Sequence, residues 1–200
     1  MSHQPYILVL YYSRYGAVKS LAEAIAEGVE SISGMSARLR TVPPVTTNIN
    51  NTTEAIPTSG DLYAELDDLR HCSGLGLGSP TRFGNMAAPL KYFLDQTSEL
   101  WVSGALANKP ATVFSSSASL HGGQETTLLT MMMPLLHHGM LIMGAPITEE
   151  ELHTSNGGGT PYGATHVTFG DNQKVLSKEE RSLAVKVGKQ LAHTALKLKS

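Results

Sequence analysis

The sequence predicts a doubly wound α/β protein built on a parallel sheet, and three observations carry that prediction. Tyr6-Ile-Leu-Val-Leu-Tyr-Tyr12 is a continuous apolar run rich in β formers, as a central strand covered on both faces requires. Similar short runs alternate along the chain with segments of helical period. Each of the main runs ends in Ser, Gly or Pro, where a strand must turn. Alternating units of this kind place helices on both faces through right-handed crossovers and put ligands at the carboxyl ends of the strands.

The elements follow in order. After the first strand, Ser13-Arg-Tyr-Gly16 breaks the run, and Leu21, Ile25 and Val29 recur at helical spacing until Gly34. Ser36 to Val42 alternates as a half-buried strand and ends at Pro43-Pro44. Thr46 to Gly60 is a Thr/Asn-rich loop of unusual length. Leu62, Leu66 and Leu69 mark a short helix, and Cys72 to Gly78 a small-residue strand ending at Ser79-Pro80. Met86, Leu90, Phe93 and Leu94 share a helix face, and Ala111 to Phe114 forms a fourth strand running into a Ser115-Ser-Ser117 loop. Glu125 to His138 reads as a helix, Met140 to Met143 as a fifth strand, and Ser177 to Leu198 as a closing amphipathic helix with Leu183, Val187 and Leu191 inward.

Composition narrows the classes of function. Residues 1–200 read as a single domain, since nothing resembles an interdomain linker and 41% apolar with 16% charged residues is ordinary globular composition. A formal charge of −2 gives no positive field to collect nucleic acid. The apolar stretches Tyr6 to Tyr12 and Leu128 to Leu136 fall short of the ~20 residues of a membrane span, so no membrane insertion is expected. Cys72 stands alone, and Met1-Ser-His-Gln-Pro5 lacks the features of an export signal, so the cytoplasm is the expected compartment. His137-His138 and His71-Cys72 do not extend to zinc-type spacing, and no metal site is expected. Gly74-Leu-Gly-Leu-Gly78 is not a dinucleotide fingerprint, because Ser79 stands where the third glycine of G-x-G-x-x-G belongs and no N-terminal βα turn surrounds it.

Three loops after strands carry the candidate chemistry. Ser13-Arg14-Tyr15-Gly16-Ala17-Val18 pairs a hydroxyl and a glycine at a helix N-terminus, where unpaired N–H groups and the helix dipole suit a phosphate; an ordinary serine cap explains the same residues. The loop of Ser79, Pro80, Thr81, Arg82, Phe83, Gly84 and Asn85 offers a hydroxyl, a guanidinium, a ring and a permissive glycine for a planar ring system. Ser115 to Gln124 supplies Ser116, Ser117 and Ser119 as donors, and Gly122-Gly123 lets backbone approach a ligand. In this order, on this topology, they are the parts of a flavin mononucleotide (FMN) site.

On these residues the chain resembles the WrbA-type NAD(P)H:quinone oxidoreductases, a flavodoxin-like family. The matching segments are Tyr11-Tyr-Ser-Arg-Tyr-Gly16, Gly78-Ser-Pro-Thr-Arg-Phe-Gly-Asn-Met86, Phe93-Leu-Asp-Gln-Thr97 with Leu100-Trp101, Gly122-Gly-Gln-Glu-Thr126, His137-His-Gly-Met140 and Gly158-Gly-Thr-Pro-Tyr-Gly-Ala164. Ala17-Val18 and Leu120-His121 depart from the family's usual residues. The resemblance implies a flavodoxin-like five-stranded sheet of order 2-1-3-4-5, bound FMN, and NADH or NADPH as co-substrate. It implies that Ser13 to Val18 cradle the FMN phosphate and that Pro80 to Asn85 meet the flavin. Ser116, Ser117, Ala118, Ser119, Leu120, His121 and Gly122 would lie on its other side. It further implies that His137 contacts the cofactor or substrate, Tyr15 the nicotinamide nucleotide and Trp101 the quinone, in a homotetramer where Trp101 and the Thr148 to Thr168 segment shape pockets shared between subunits.

The expected reaction is two-electron reduction of quinones to hydroquinones by a ping-pong mechanism. Arg82 is the candidate for charge stabilisation, and His137 for proton donation, since an ordinary imidazole with pKa near ~6.5 exchanges protons at neutral pH. A one-electron flavodoxin-type carrier is the rival reading, but −2 gives little charge to steer docking. A regulatory flavin-binding protein is a third. Response regulators share such a fold but need acidic residues where this chain has Tyr12-Ser13 and Ser79-Pro80.

Overall fold

The computed structural model describes residues 4–47 and 56–199. Most of the loop expected from Thr46 to Gly60, and the opening Met1-Ser2-His3, therefore lie outside the described residues. The strands are β1 (Tyr6–Tyr11), β2 (Ser36–Thr41), β3 (Gly74–Pro80), β4 (Pro110–Ser117), β5 (Leu141–Ile142) and β6 (Ala164–Val167), and every pairing among them is parallel. The helices are α1 (Ala17–Glu30), α2 (Leu66–His71), α3 (Ala88–Asp95), α4 (Ser98–Val102), α5 (Gln124–His137), α6 (Glu151–Thr154) and α7 (Lys178–Lys199). The sheet order is 2-1-3-4-5, as expected, but a sixth strand is present. The outer edge of β4 is shared: β5 pairs with Pro110 and Ala111, and β6 with Phe114 to Ser117.

Several local readings are corrected by the structure. Ser115 to Ser117 belong to β4 rather than to a loop, because β3 and β6 take up their backbone groups on both sides. β6 itself, Ala-Thr-His-Val, has no apolar run to betray it, and burial on this edge comes from its neighbours. Leu62 lies outside a helix: its carbonyl accepts the Thr41 N–H at 3.0 Å, so the chain runs extended beside the end of β2 before α2 begins. Met86 likewise precedes α3.

Each face of the sheet carries its own core, and β1 serves both because its side chains alternate. Leu8 and Leu10 pack with Leu75, Leu77 and Val113 under α3 and α5. Ile7, Val9 and Tyr11 pack with Phe114 under α1 and α7. Helices α1 and α7 meet at very close range. A β-carbon at Gly28 would stand 2.0 Å from the Val185 carbonyl oxygen, and one at Gly188 would stand 2.0 Å from that of Ile25. The crossing therefore requires glycine on both helices.

Asp68 fastens β2 to α2. Its carboxylate accepts from Arg38 Nη1 at 2.8 Å, Arg40 Nε at 3.0 Å and the Glu65 N–H at 3.1 Å. Burial alone would raise its pKa, but these hydrogen bonds outweigh it and hold the carboxyl below the ordinary aspartate range. Cys72 is buried, and burial pushes its thiol up to about 11.

Two outcomes are expected. Gly188→Ala lowers the unfolding free energy by about 1–3 kcal/mol in urea titration, since the added methyl meets backbone rather than a movable side chain. The stabilisation due to Asp68 is complete above the ordinary aspartate range and is lost as the pH falls through that range to its lowered value. Asp68→Asn therefore destabilises at neutral pH and flattens the acid limb of the stability profile, read from urea midpoints in successively more acidic buffers.

Candidate active site

The first loop ends in an exposed helix terminus. Gly16 occupies the N-cap of α1 at φ 98°, a left-handed conformation that costs a side-chain-bearing residue about 1 kcal/mol or more, and no side chain caps the helix. No acidic residue stands in the first turn. The Gly16 N–H donates to Ser13 Oγ at 3.1 Å, which closes the turn and leaves the first α1 N–H groups facing outward. Arg14 and Tyr15 are exposed, with the guanidinium 5.4 Å from the ring centre. Uncapped donors, the positive end of the helix dipole and an adjacent guanidinium form an anion cradle.

The second loop is a tight hairpin. The Arg82 N–H donates to the Asn85 carbonyl at 2.8 Å and the Asn85 N–H returns to the Arg82 carbonyl at 3.1 Å. Both central residues, Phe83 at φ 55° and Gly84 at φ 76°, are left-handed, the backbone of a type I′ turn. An aromatic residue is unfavourable there, and Phe83 is fully exposed, so no packing in this chain repays the strain. Arg82 is anchored by Nη1 donation to the Thr81 carbonyl at 2.7 Å.

The third loop is tied to the second. The Thr81 N–H donates to the Ser116 carbonyl at 2.9 Å, and Thr127 Oγ1 donates to Thr81 Oγ1 at 2.8 Å. Thr130 Oγ1 reaches the Gly84 carbonyl at 3.2 Å. These two threonines, on α5, escaped the sequence reading because their alternation with apolar residues marks only a helix face. Ser117 Oγ lies 2.8 Å from the Ser119 carbonyl. Ala118, Ser119, Leu120, His121 and Gly122 are exposed, with His121 left-handed at φ 56°.

A cavity of about 190 Å³ joins the three loops. Ser13, Arg14, Tyr15, Ala17 and Val18 line it with Pro80, Thr81 and Arg82, and with Ser116, Ser117 and Ala118. Two further lining residues, Thr168 and Asn172, come from the segment after β6. Sequence reasoning missed them because it missed β6. The donor set fits a phosphorylated, ring-bearing ligand: the anion cradle of the first loop and Thr81 and Arg82 of the second line one cavity.

Within one chain His137 and Trp101 stand apart from this group. Helix α5 leaves the carboxyl edge at Gln124 and runs 14 residues, about 21 Å, before reaching His137 at the opposite edge. There Trp101 Nε1 donates to the His137 carbonyl at 2.9 Å. Thr97 Oγ1 lies 2.8 Å from His138 Nε2, and a cavity of about 380 Å³ opens between Leu94, Trp101, Pro134 and His137. Burial, with the neighbouring His137, pulls His138 below the ordinary imidazole range. The two residues form a pair, but at the amino edge of the sheet.

Residues 7–150 match the family model described as NADPH-dependent FMN reductase. A protein named NAD(P)H dehydrogenase (quinone) from Trichlorobacter lovleyi is 41% identical over 199 residues, covering 96% of this chain and 98% of the relative. A protein of the same name from Solidesulfovibrio magneticus is 39% identical over 207 residues, covering 97% and 99%. Among solved structures, a WrbA-like flavodoxin from Agrobacterium tumefaciens superposes with a TM-score of 0.66 at 22% identity, covering 96% of this chain and 98% of its own. A flavodoxin from the domain Archaea gives 0.61 at 19% identity, covering 98% and 99%.

Phe83→Gly relieves the left-handed strain without removing a buried contact. It should raise the unfolding free energy of the ligand-free protein by about 1 kcal/mol in urea titration. The same variant should bind its flavin more weakly, read from flavin fluorescence, if the ring is held in strain for the ligand.

Proposed function

The chain belongs to the NADPH-dependent FMN reductase family, and from that premise we propose that it is an FMN-dependent NAD(P)H:quinone oxidoreductase. Its co-substrate is NADH or NADPH, its product a hydroquinone, and its two substrates bind in turn, as in a ping-pong mechanism. The observation that carries the reading is the uncapped start of α1 behind a left-handed glycine, opening on the same cavity as the second and third loops. Bound in this cavity, FMN would supply the redox chemistry, relaying one hydride equivalent from the nicotinamide nucleotide to the quinone, so that one further proton completes the hydroquinone. The protein's part is position and charge.

Ser13, Arg14, Gly16, Ala17 and Val18 hold the phosphate through hydroxyl, guanidinium and backbone N–H groups. Thr81, Arg82, Phe83, Gly84 and Asn85 border the ring from one side, and Ser116 to Gly122 from the other. Arg82, positioned by its bond to the Thr81 carbonyl, offsets negative charge that develops at the ring. Tyr15, exposed beside the cradle, meets the nicotinamide nucleotide.

His137 and Trp101 serve the site of a neighbouring copy in a homotetramer. An exposed apolar stripe supports this: Leu129, Met133 and Leu136 share one face of α5, and Trp101 and Val102 lie beside its end. Trp101 then walls the quinone and His137 delivers a proton to the departing hydroquinone oxygen. We place the protein in the cytoplasm; among the described residues no helix is long and apolar enough to cross a membrane.

Anaerobic addition of NADH or NADPH to the FMN-loaded protein should bleach the flavin's visible band, and benzoquinone should restore it. No bleaching would overturn the enzyme reading in favour of a one-electron carrier. Met133→Asp with Leu136→Asp should yield smaller species by light scattering that retain FMN and lose about a hundredfold or more in quinone turnover, because His137 and Trp101 are withdrawn.

A further inference from the structure

A histidine and a glutamate lie wholly inside the protein behind the wall of the cofactor cavity. The side chains of His166, on β6, and Glu180, on α7, are each 1% exposed, and His166 Nδ1 stands 2.7 Å from Glu180 Oε2. Burying such a pair costs several kcal/mol per ion unless the remaining hydrogen-bonding positions are also filled. Here they are. Glu180 Oε1 accepts the Gly158 N–H at 2.7 Å and the Val167 N–H at 3.1 Å, and Oε2 also accepts the Ser177 N–H at 2.8 Å. Burial alone would raise the Glu180 pKa, but the His166 bond and the three backbone donors hold it below the ordinary glutamate range.

The second nitrogen of His166 faces the Lys174 carbonyl at 3.1 Å. Both ring nitrogens therefore stand against acceptors, one on α7 and the other at the end of the loop that follows β6. Lys174 closes a loop that begins at Thr168, whose N–H is bonded to the Ser117 carbonyl at 3.0 Å. Inside the loop, the Asp171 N–H donates to the Thr168 carbonyl at 3.1 Å and the Gln173 N–H to Asp171 Oδ1 at 2.8 Å. Phe169 is left-handed at φ 54°, and the Lys174 ammonium lies 3.8 Å from its ring centre. Thr168 and the exposed Asn172 are the two members of this loop that line the cavity at the start of α1.

We propose that His166 is a positioning residue for cofactor binding: through the Lys174 carbonyl it holds the Thr168–Lys174 loop so that Thr168 and Asn172 complete the phosphate-side wall of the FMN cavity. His166 itself does not reach the cavity. Its two ring nitrogens are spaced to join α7 to the end of the loop, and a side chain with a single nitrogen reaches only one of the two. The inference rests on the FMN reading of the site.

The test is flavin binding to the full-length protein, comparing FMN with riboflavin, which lacks the phosphate, by fluorescence titration. Asn172→Ala, an exposed change that leaves the core untouched, should weaken FMN about tenfold, the weight of one hydrogen bond to a charged group, and riboflavin much less. His166→Gln should produce the same selective loss. The double variant should lose no more than the larger single loss, because both changes act through one loop. If Asn172→Ala binds FMN as the parent does, or if His166→Gln weakens FMN and riboflavin equally, the positioning role is overturned while the FMN reading stands. If the parent protein binds no FMN, the reading of the site falls as well.

Discussion

The anion cradle depends on how closely α1 lies against α7. Two helices can approach until backbone touches backbone only where neither carries a side chain, and Gly28 and Gly188 supply that gap from both sides. The contact fixes the axis of α1 against the sheet, and therefore the direction in which its first N–H groups point. Because α7 begins within reach of Glu180's backbone donors, the same packing also aligns the segment between β6 and α7. The anion cradle and the Thr168–Lys174 loop are thus set by one helix pair buried on the far side of Phe114.

The buried carboxylates are well satisfied, whereas several turns at the carboxyl edge hold left-handed backbone. Asp68 and Glu180 each have several donors on their oxygens. By contrast α1 and α5 both start at left-handed glycines with no side-chain cap, and Phe83, His121 and Phe169 hold left-handed backbone around the same opening. Uncapped helices and strained turns are unfavourable by themselves. The glycine-started α1 and the left-handed turns beside it are intelligible if a ligand with a phosphate and a flat ring supplies the missing partners.

The separation of His137 and Trp101 from the cradle follows from helix length. A residue at the end of α5 cannot return to the edge from which α5 departed. The pair is nevertheless well formed, with the indole N–H fixed on the His137 carbonyl and an apolar stripe running up the same helix. In the proposed assembly a second copy would bring the two ends together.

By itself the sequence determined the alternation of strands and helices, the sheet order through its family resemblance, and the three loops, because period, glycine and serine placement are local and survive in a linear reading. The cavity lined by Ser13 to Val18, Thr81, Arg82, Ser116 and Ser117 was legible for that reason. Only the tertiary structure decided where β4 ends, since Ser115 to Ser117 become strand when β3 and β6 satisfy them. It also decided that β6 exists, that Thr168 and Asn172 line the cavity, and that His137 lies a helix length away from it. These depend on pairing and distance between residues far apart in the chain, which no local pattern records.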